Sequence, residues 1–146
     1  MRRALLVGLG VLVAIQLVPV SRDNGPGTVD AVEAPPEVTA LLRRVCANCH
    51  SGATEWPWYS RVAPVSWLVA DDVRIGRQQL NFSEWGRYSA RQAENKLEEI
   101  CAVVQAEAMP PKKYTLAHPQ AKLTAVDVKA VCAWTVAEQQ RLTAQK

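Results

Sequence analysis

The stretch Cys46-Ala47-Asn48-Cys49-His50 decides how the rest of this 146-residue chain is interpreted. It has the pattern C-x-x-C-H, which is the attachment sequence of a c-type haem. Two thiols one helical turn apart can each bond one vinyl group of a porphyrin, and the histidine that follows can turn under the ring and ligate the iron. The pattern therefore predicts one covalent haem c on Cys46 and Cys49, with His50 as the proximal ligand.

Two other kinds of site use the same pair of thiols. A thioredoxin-like redox site places C-x-x-C in a βαβ context, which the sequence does not offer. A structural zinc site needs two more ligands at close spacing. The remaining candidates, Cys101, His118 and Cys132, are scattered far along the chain. Haem attachment is therefore the interpretation that the sequence favours.

The first 21 residues have the composition of an export signal. A basic pair at residues 2–3 precedes an apolar run over residues 4–20 that only Gln16 interrupts. Because residues 17–21 offer a poor cleavage site, we predict that residues 1–21 are an uncleaved signal anchor. This N-terminal membrane helix would hold the domain on the periplasmic side of a bacterial inner membrane. The alternative is a cleaved signal peptide, which would leave a soluble periplasmic protein.

The rest of the chain divides into a linker and one domain. Residues 22–35 are rich in Gly, Pro, Asp and Thr, which is typical of a linker, and residues 36–146 form the predicted haem-binding domain. The net charge is +3, and the arginines before residue 23 account for all of it. A neutral domain gives no electrostatic reason to expect nucleic acid as a partner. The expected partners are the membrane and redox proteins of unknown identity.

Apolar residues recur at helical spacing in four segments of the domain. These segments begin near Pro36, Pro64, Ala90 and Thr124. The first of them runs directly into the C-x-x-C-H motif, so packed structure would fix the attachment point. We therefore expect an all-α fold in which about four helices surround one haem.

Aromatic residues directly after the motif are candidates for the wall of a haem crevice. Trp56 and Trp58 would line it, and Arg61 or an indole N–H would reach a haem propionate. The alternative is that the tryptophans are ordinary core residues and that Arg61 is a surface arginine.

Met109 is the candidate for the distal iron ligand. It begins the loop Met109-Pro110-Pro111, whose prolines lower the cost of ordering a thioether against the iron. The only other methionine is the initiator. The competing ligand is His118, the only other histidine, and a bis-His iron would have a lower reduction potential.

Two cysteines remain after haem attachment. Cys101 and Cys132 lie on different predicted helices, and an exported protein folds in an oxidising compartment. We expect a disulfide between them, and the alternative is a pair of buried free thiols.

Three blocks beyond the motif give the chain a family resemblance. They are W-P-W-Y-S-R-V-A-P-V-S-W-L-V at 56–69, L-N-F-S-E-W-G at 80–86, and M-P-P…Y-T-L…H-P at 109–119. With the motif at 46–50, the chain resembles the bacterial haem-binding domain family over residues 29–135. That family consists of small C-x-x-C-H proteins related to cytochrome c. The resemblance implies an exported, cytochrome c-like bundle whose defined functional residues are those of the motif.

Together these expectations describe a membrane-anchored monohaem c-type cytochrome that transfers one electron on the periplasmic side. We expect an electron carrier rather than an enzyme, with His50 and Met109 holding the iron. The alternative function is a haem-based ligand sensor or a peroxidase-like haem enzyme. Either of these needs an open or easily vacated sixth iron position.

Overall fold

The computed structural model describes residues 1–25, 27 and 32–144, so part of the predicted linker and the last two residues of the predicted domain lie outside the described residues. The described residues form helices and 3-10 turns and contain no strand, which confirms the all-α prediction. The α-helices are α1 (Arg2–Ala14), α2 (Pro36–Val45), α3 (Ala47–His50), α4 (Val65–Gln79), α5 (Ala90–Gln105), α6 (Lys112–Ala117) and α7 (Ala125–Ala144).

The four longest helices of the domain are the four that the sequence predicts, and local signals begin them. Pro36 occupies the first turn of α2, where a missing N–H costs nothing. Ser89 and Gln92 form a capping box at the start of α5. Before α7, the Thr124 N–H donates to the Asp127 carboxylate over 2.8 Å, and the Asp127 N–H donates back to the Thr124 hydroxyl over 3.2 Å.

One hydrophobic core joins α2, α5 and α7. Its largest apolar side chains without solvent exposure are Leu42, Phe82 and Leu97. Phe82 lies on a 3-10 turn between α4 and α5. On α7, the Trp134 indole N–H donates to the Glu33 carbonyl over 3.0 Å. Burial of each large apolar side chain contributes about 1.5–3 kcal/mol, so this core holds the three helices together.

A disulfide crosses this core. Cys101 on α5 and Cys132 on α7 are bonded, and their Cα atoms lie 4.9 Å apart. The bond connects the two longest helices, which pack side by side along their length.

The N-terminal segment differs from the prediction. Helix α1 has 13 residues, and a 3-10 turn at Ile15–Leu17 follows it. About 20 consecutive apolar helical residues cross a bilayer. None of the helices in the described part of the chain has the length and apolar composition for that. The structure therefore does not support the transmembrane helix predicted at residues 1–21.

The described part of the predicted linker packs against the domain. The Arg22 guanidinium donates to the Ser60 carbonyl over 3.2 Å, and the Asn24 side-chain amide donates to the Thr54 carbonyl over 2.8 Å. Val32 is buried in the core. These contacts hold Arg22, Asn24 and Val32 against the domain.

Glu107, two residues after the end of α5, has a positive φ of 53°. This left-handed residue turns the chain back, so that the N–H groups of Ala108 and Met109 both donate to the Val103 carbonyl, over 2.9 and 3.2 Å. A non-glycine residue pays roughly 1–2 kcal/mol for this conformation, which glycine adopts freely.

We expect Glu107→Gly to raise the free energy of unfolding by about 0.5 kcal/mol. The gain is smaller than the strain because glycine also increases the entropy of the unfolded chain. Urea denaturation measures the change, and Glu107→Ala is the matched control because alanine keeps the strained backbone. Equal stability of the glycine and alanine variants would contradict the expectation.

Candidate haem-binding site

The C-x-x-C-H motif forms one helical turn directly after α2. The Cys46 N–H donates to the Leu42 carbonyl over 2.9 Å, which continues the hydrogen bonding of α2. The N–H groups of Cys49 and His50 then donate to the Cys46 carbonyl, over 3.1 and 2.9 Å. The local sequence thus places the two thiols one turn apart at the end of a packed helix.

The motif lies at the wall of a cavity of about 300 Å³. Cys46, Cys49 and His50 all line this cavity. The lining is mainly apolar, and much of it comes from α4, α5 and the chain between them: Ile75, Leu80, Phe82, Ile100, Val103 and Val104. Cofactor sites are usually concave and apolar with a few polar groups, so the cavity has the character of such a site.

Backbone carbonyls orient the His50 ring. Its Nδ1 atom lies 2.9 Å from the Gly76 oxygen and 3.1 Å from the Leu80 oxygen. Because carbonyl oxygens only accept hydrogen bonds, Nδ1 carries the proton and Nε2 keeps its lone pair. Burial lowers the pKa of His50, although the two backbone hydrogen bonds act in the opposite direction. The result is a neutral, fixed imidazole of the kind that ligates a metal.

Met109 lines the same cavity, together with Pro110 and Pro111. Its side chain is partly exposed to solvent. The turn at Glu107 brings the methionine back toward α5 after that helix ends. The structure therefore brings the motif and the predicted distal ligand to one cavity, and these residues fit a haem with His/Met ligation.

Comparison with known families agrees with this arrangement. A family model described as a haem-binding domain matches residues 10–137. The chain belongs to the haem-binding domain family. The match confirms the resemblance seen in the sequence and supports haem as the cofactor of this chain. No match was found among curated proteins or among solved structures.

Gly76 lets α4 reach the motif of this haem-binding domain. A Cβ atom at this position would lie 2.6 Å from the Cys49 carbonyl oxygen, closer than side-chain carbons approach backbone oxygens. The same residue supplies one of the carbonyls that orient His50. Sequence reasoning missed this role, and the available signal was a single glycine inside a predicted helix.

The thiols of Cys46 and Cys49 differ in pKa from those of a redox-active pair. Both cysteines of the motif are free. Burial raises the pKa of Cys46 to about 12, and Cys49 adds to the effect. Burial, with a smaller contribution from Asp72, also raises the pKa of Cys49. Thioredoxin-like catalysis needs a lowered thiol pKa, so neither cysteine suits that role.

A zinc site finds no support either. No group of three or more His, Cys, Asp or Glu side chains in the described ranges 1–25, 27 and 32–144 could hold a metal ion. Of the predicted zinc candidates, Cys101 and Cys132 are bonded to each other.

His118 lies away from the cavity of the haem-binding domain. It does not line the cavity, and its Nε2 atom lies 2.6 Å from the Tyr59 hydroxyl oxygen. Its ring stacks on Tyr114, with centroids 4.5 Å apart. Tyr114 does line the cavity and accepts a hydrogen bond of 3.0 Å from the Asn48 side chain. His118 thus supports an aromatic wall of the cavity, whereas Met109 lines the cavity itself.

The three residues predicted for the crevice wall lie elsewhere. The Trp56 indole N–H donates to the Asn24 side chain over 2.9 Å, Trp58 is 78% exposed, and Arg61 is exposed. None of the three lines the cavity. The physical reason is that the chain after the motif packs against the N-terminal segment, where the Asn24 side-chain amide donates to the Thr54 carbonyl over 2.8 Å. The structure does not support their predicted crevice role.

Charged residues that the sequence analysis overlooked lie at the cavity. Lys96 and Lys113 line it, and each has a carboxylate neighbour. The Lys96 ammonium lies 3.4 Å from Glu99, and the Lys113 ammonium lies 2.8 Å from Asp72. These lysines are the cationic side chains beside an otherwise mainly apolar cavity.

Proposed function

We propose that this haem-binding domain is a monohaem c-type cytochrome that transfers one electron on the periplasmic side of a bacterial inner membrane. The observation that carries the proposal is a single apolar cavity lined by Cys46, Cys49, His50 and Met109. This is the residue set that a covalent haem with His/Met ligation requires.

Each of these side chains has one proposed role. Cys46 and Cys49 would hold the porphyrin through two thioether bonds, and His50, through Nε2, and Met109 would ligate the iron. When bound, the haem supplies a one-electron iron couple. The chain orients the His50 ring through the two carbonyl acceptors and makes the imidazole a stronger ligand. The apolar lining excludes water, and Lys96 and Lys113 are the proposed partners of the propionates.

We further propose that the N-terminal segment attaches the protein to the membrane. The basic pair at residues 2–3 and the apolar run after it support this location. In a cleaved form the same domain would be soluble in the periplasm.

Variants of the two candidate distal ligands test the function. The holoprotein, produced with a cytochrome c maturation system, is expected to carry covalent haem by mass and to be low-spin in both oxidation states. Met109→Ala should lose the ferric band typical of methionine ligation and lower the reduction potential by roughly 0.1–0.3 V, since axial ligands span about 0.8 V. His118→Ala is the matched control and should keep both the band and the potential.

Other results would change the assigned iron ligand, the proposed function or the proposed cofactor attachment. A Met109→Ala variant with an unchanged low-spin spectrum would rule out Met109 as the ligand. A high-spin holoprotein that binds carbon monoxide readily would favour the ligand sensor or the peroxidase-like enzyme. A colourless protein at apoprotein mass would rule out covalent haem.

A further inference from the structure

Helix α1 exposes apolar side chains on every side. Its leucines and valines from Leu5 to Val13 are between 55% and 71% exposed, and it buries no residue. A helix that is apolar all around is stable only when protein or lipid surrounds it. The described part of the domain does not cover this apolar surface.

A second apolar surface lies on the domain, at residues 58–68. We call this surface the apolar patch, and its exposed members are Trp58, Val62, Val65, Trp67 and Leu68. Val65 and Leu68 are three residues apart on the first turn of α4, so they share one face of that helix. Trp58 and Leu68 are the most exposed members, at 78% and 63%.

Hydrogen bonds join the apolar patch to the end of the N-terminal segment. The Gln16 side-chain amide donates to the Ala63 carbonyl over 3.1 Å and accepts from the Ala63 N–H over 2.9 Å. A short distance along the chain, the Arg22 guanidinium donates to the Ser60 carbonyl over 3.2 Å. The family match begins at residue 10 and therefore includes Gln16. The patch and α1 are thus neighbouring parts of one surface.

Within residues 1–22 and 56–70 every charged side chain is basic, and acidic residues begin directly outside these stretches, at Asp23, Glu55 and Asp71. Residues 56–70 contain one basic residue, Arg61, and no acidic residue. Residues 1–22 contain three arginines and no acidic residue. Anionic lipid headgroups attract such segments, and tryptophan prefers the boundary between headgroups and acyl chains.

We propose that the apolar patch rests in the lipid interface of the membrane to which the N-terminal segment attaches the protein. The inference depends on the membrane attachment in the proposed function and adds the orientation of the domain. The Gln16 contact with Ala63 holds the patch beside α1, so attachment of α1 places Trp58 and Leu68 at the bilayer surface. An interfacial segment of this kind gains affinity from its buried apolar area and from its basic residues.

Lipid photocrosslinking tests the inference on the full-length holoprotein. The protein is mixed with vesicles of phosphatidylethanolamine and phosphatidylglycerol that contain a phospholipid with an acyl-chain diazirine. After flotation and irradiation, mass spectrometry compares the tryptic peptides 62–74 and 123–129. The second peptide is the control because it carries Val126, which is 77% exposed on α7. We expect about fivefold more labelling of peptide 62–74.

Matched variants distinguish contact of the apolar patch with lipid from attachment of the whole protein to the membrane. Trp67→Ser combined with Leu68→Ser should lower the labelling of peptide 62–74 by about threefold or more, with flotation unchanged, because serine loses the apolar area that enters lipid. Val126→Ser should change neither measurement. An unchanged haem spectrum shows that each variant is folded.

The outcomes distinguish the two proposals. If the protein floats and the two peptides are labelled equally, the apolar patch faces water, another protein or a second copy, and the inference fails while membrane attachment stands. If the protein does not float with vesicles, membrane attachment fails and the inference fails with it. The haem assignment is read separately from the spectrum in both cases.

Discussion

Gly76→Val is expected to lower the free energy of unfolding by about 3 kcal/mol and to disturb the haem spectrum. A Cβ atom at Gly76 would lie 2.6 Å from the Cys49 carbonyl oxygen and 3.1 Å from the Cys49 carbonyl carbon. Both atoms are backbone, so either α4 or α3 must move, and overpacking of this kind costs typically about 1–3 kcal/mol and occasionally more. Valine and glycine differ by less than about 0.5 kcal/mol in helix propensity, so propensity does not compensate.

The movement would also reach His50, the proposed iron ligand. The Gly76 carbonyl accepts one of the two hydrogen bonds from the His50 Nδ1–H group, so a displaced α4 lengthens that bond. Guanidinium denaturation gives the stability, and the ferric absorbance spectrum reports the ligand field.

Gly86→Val is the matched control for this prediction. A Cβ atom at Gly86 would meet no heavy atom within 4 Å. We expect its free energy of unfolding to stay within about 0.5 kcal/mol of the parent value. Equal stability of the Gly76 and Gly86 variants would show that α4 does not approach the motif as closely as described.

Loss of the disulfide is expected to have a comparable effect. The double variant Cys101→Ser/Cys132→Ser removes a cross-link between residues 31 apart in the sequence. In the chain-entropy model, a loop of this length contributes about 3.5 kcal/mol by restricting the unfolded chain. Urea denaturation of the variant and of the parent protein measures the difference.

A reductant provides the control. Dithiothreitol should lower the stability of the parent protein to that of the double variant and leave the variant unchanged, because thioether bonds to haem resist reduction by thiols. A parent protein whose stability is the same with and without reductant would contradict a disulfide contribution.

The helices of the domain could be predicted from the sequence because their signals are local. Pro36, Pro64, Ser89 and Thr124 stand at or directly before the first residues of α2, α4, α5 and α7. Helix α6 was not predicted, because its six residues are too few to show an apolar period. Its Tyr114 is nevertheless part of the cavity wall.

The candidate site was predictable where sequence spacing determines geometry. The motif residues lie on one helical turn, so their common position at the cavity follows from their spacing. The position of Trp58 depends instead on long-range hydrogen bonds. Arg77 donates to the Ser51 carbonyl and, over 2.7 Å, to the Asp23 carbonyl, and these bonds join parts of the chain that are distant in sequence. No local pattern predicts such bonds, so the sequence could not show that Trp56 and Trp58 lie outside the cavity lining.

The two acceptors that orient His50 are main-chain atoms, and this has an evolutionary consequence. Carboxylate or amide partners could be exchanged by point mutation, but the carbonyl groups of Gly76 and Leu80 persist whatever side chains stand there. Any protein that keeps this backbone therefore also keeps the two hydrogen bonds that make the His50 imidazole a stronger ligand. If the proposed function is right, adaptation of the reduction potential would be concentrated at Met109 and at the charged side chains beside the cavity, Lys96 and Lys113 among them.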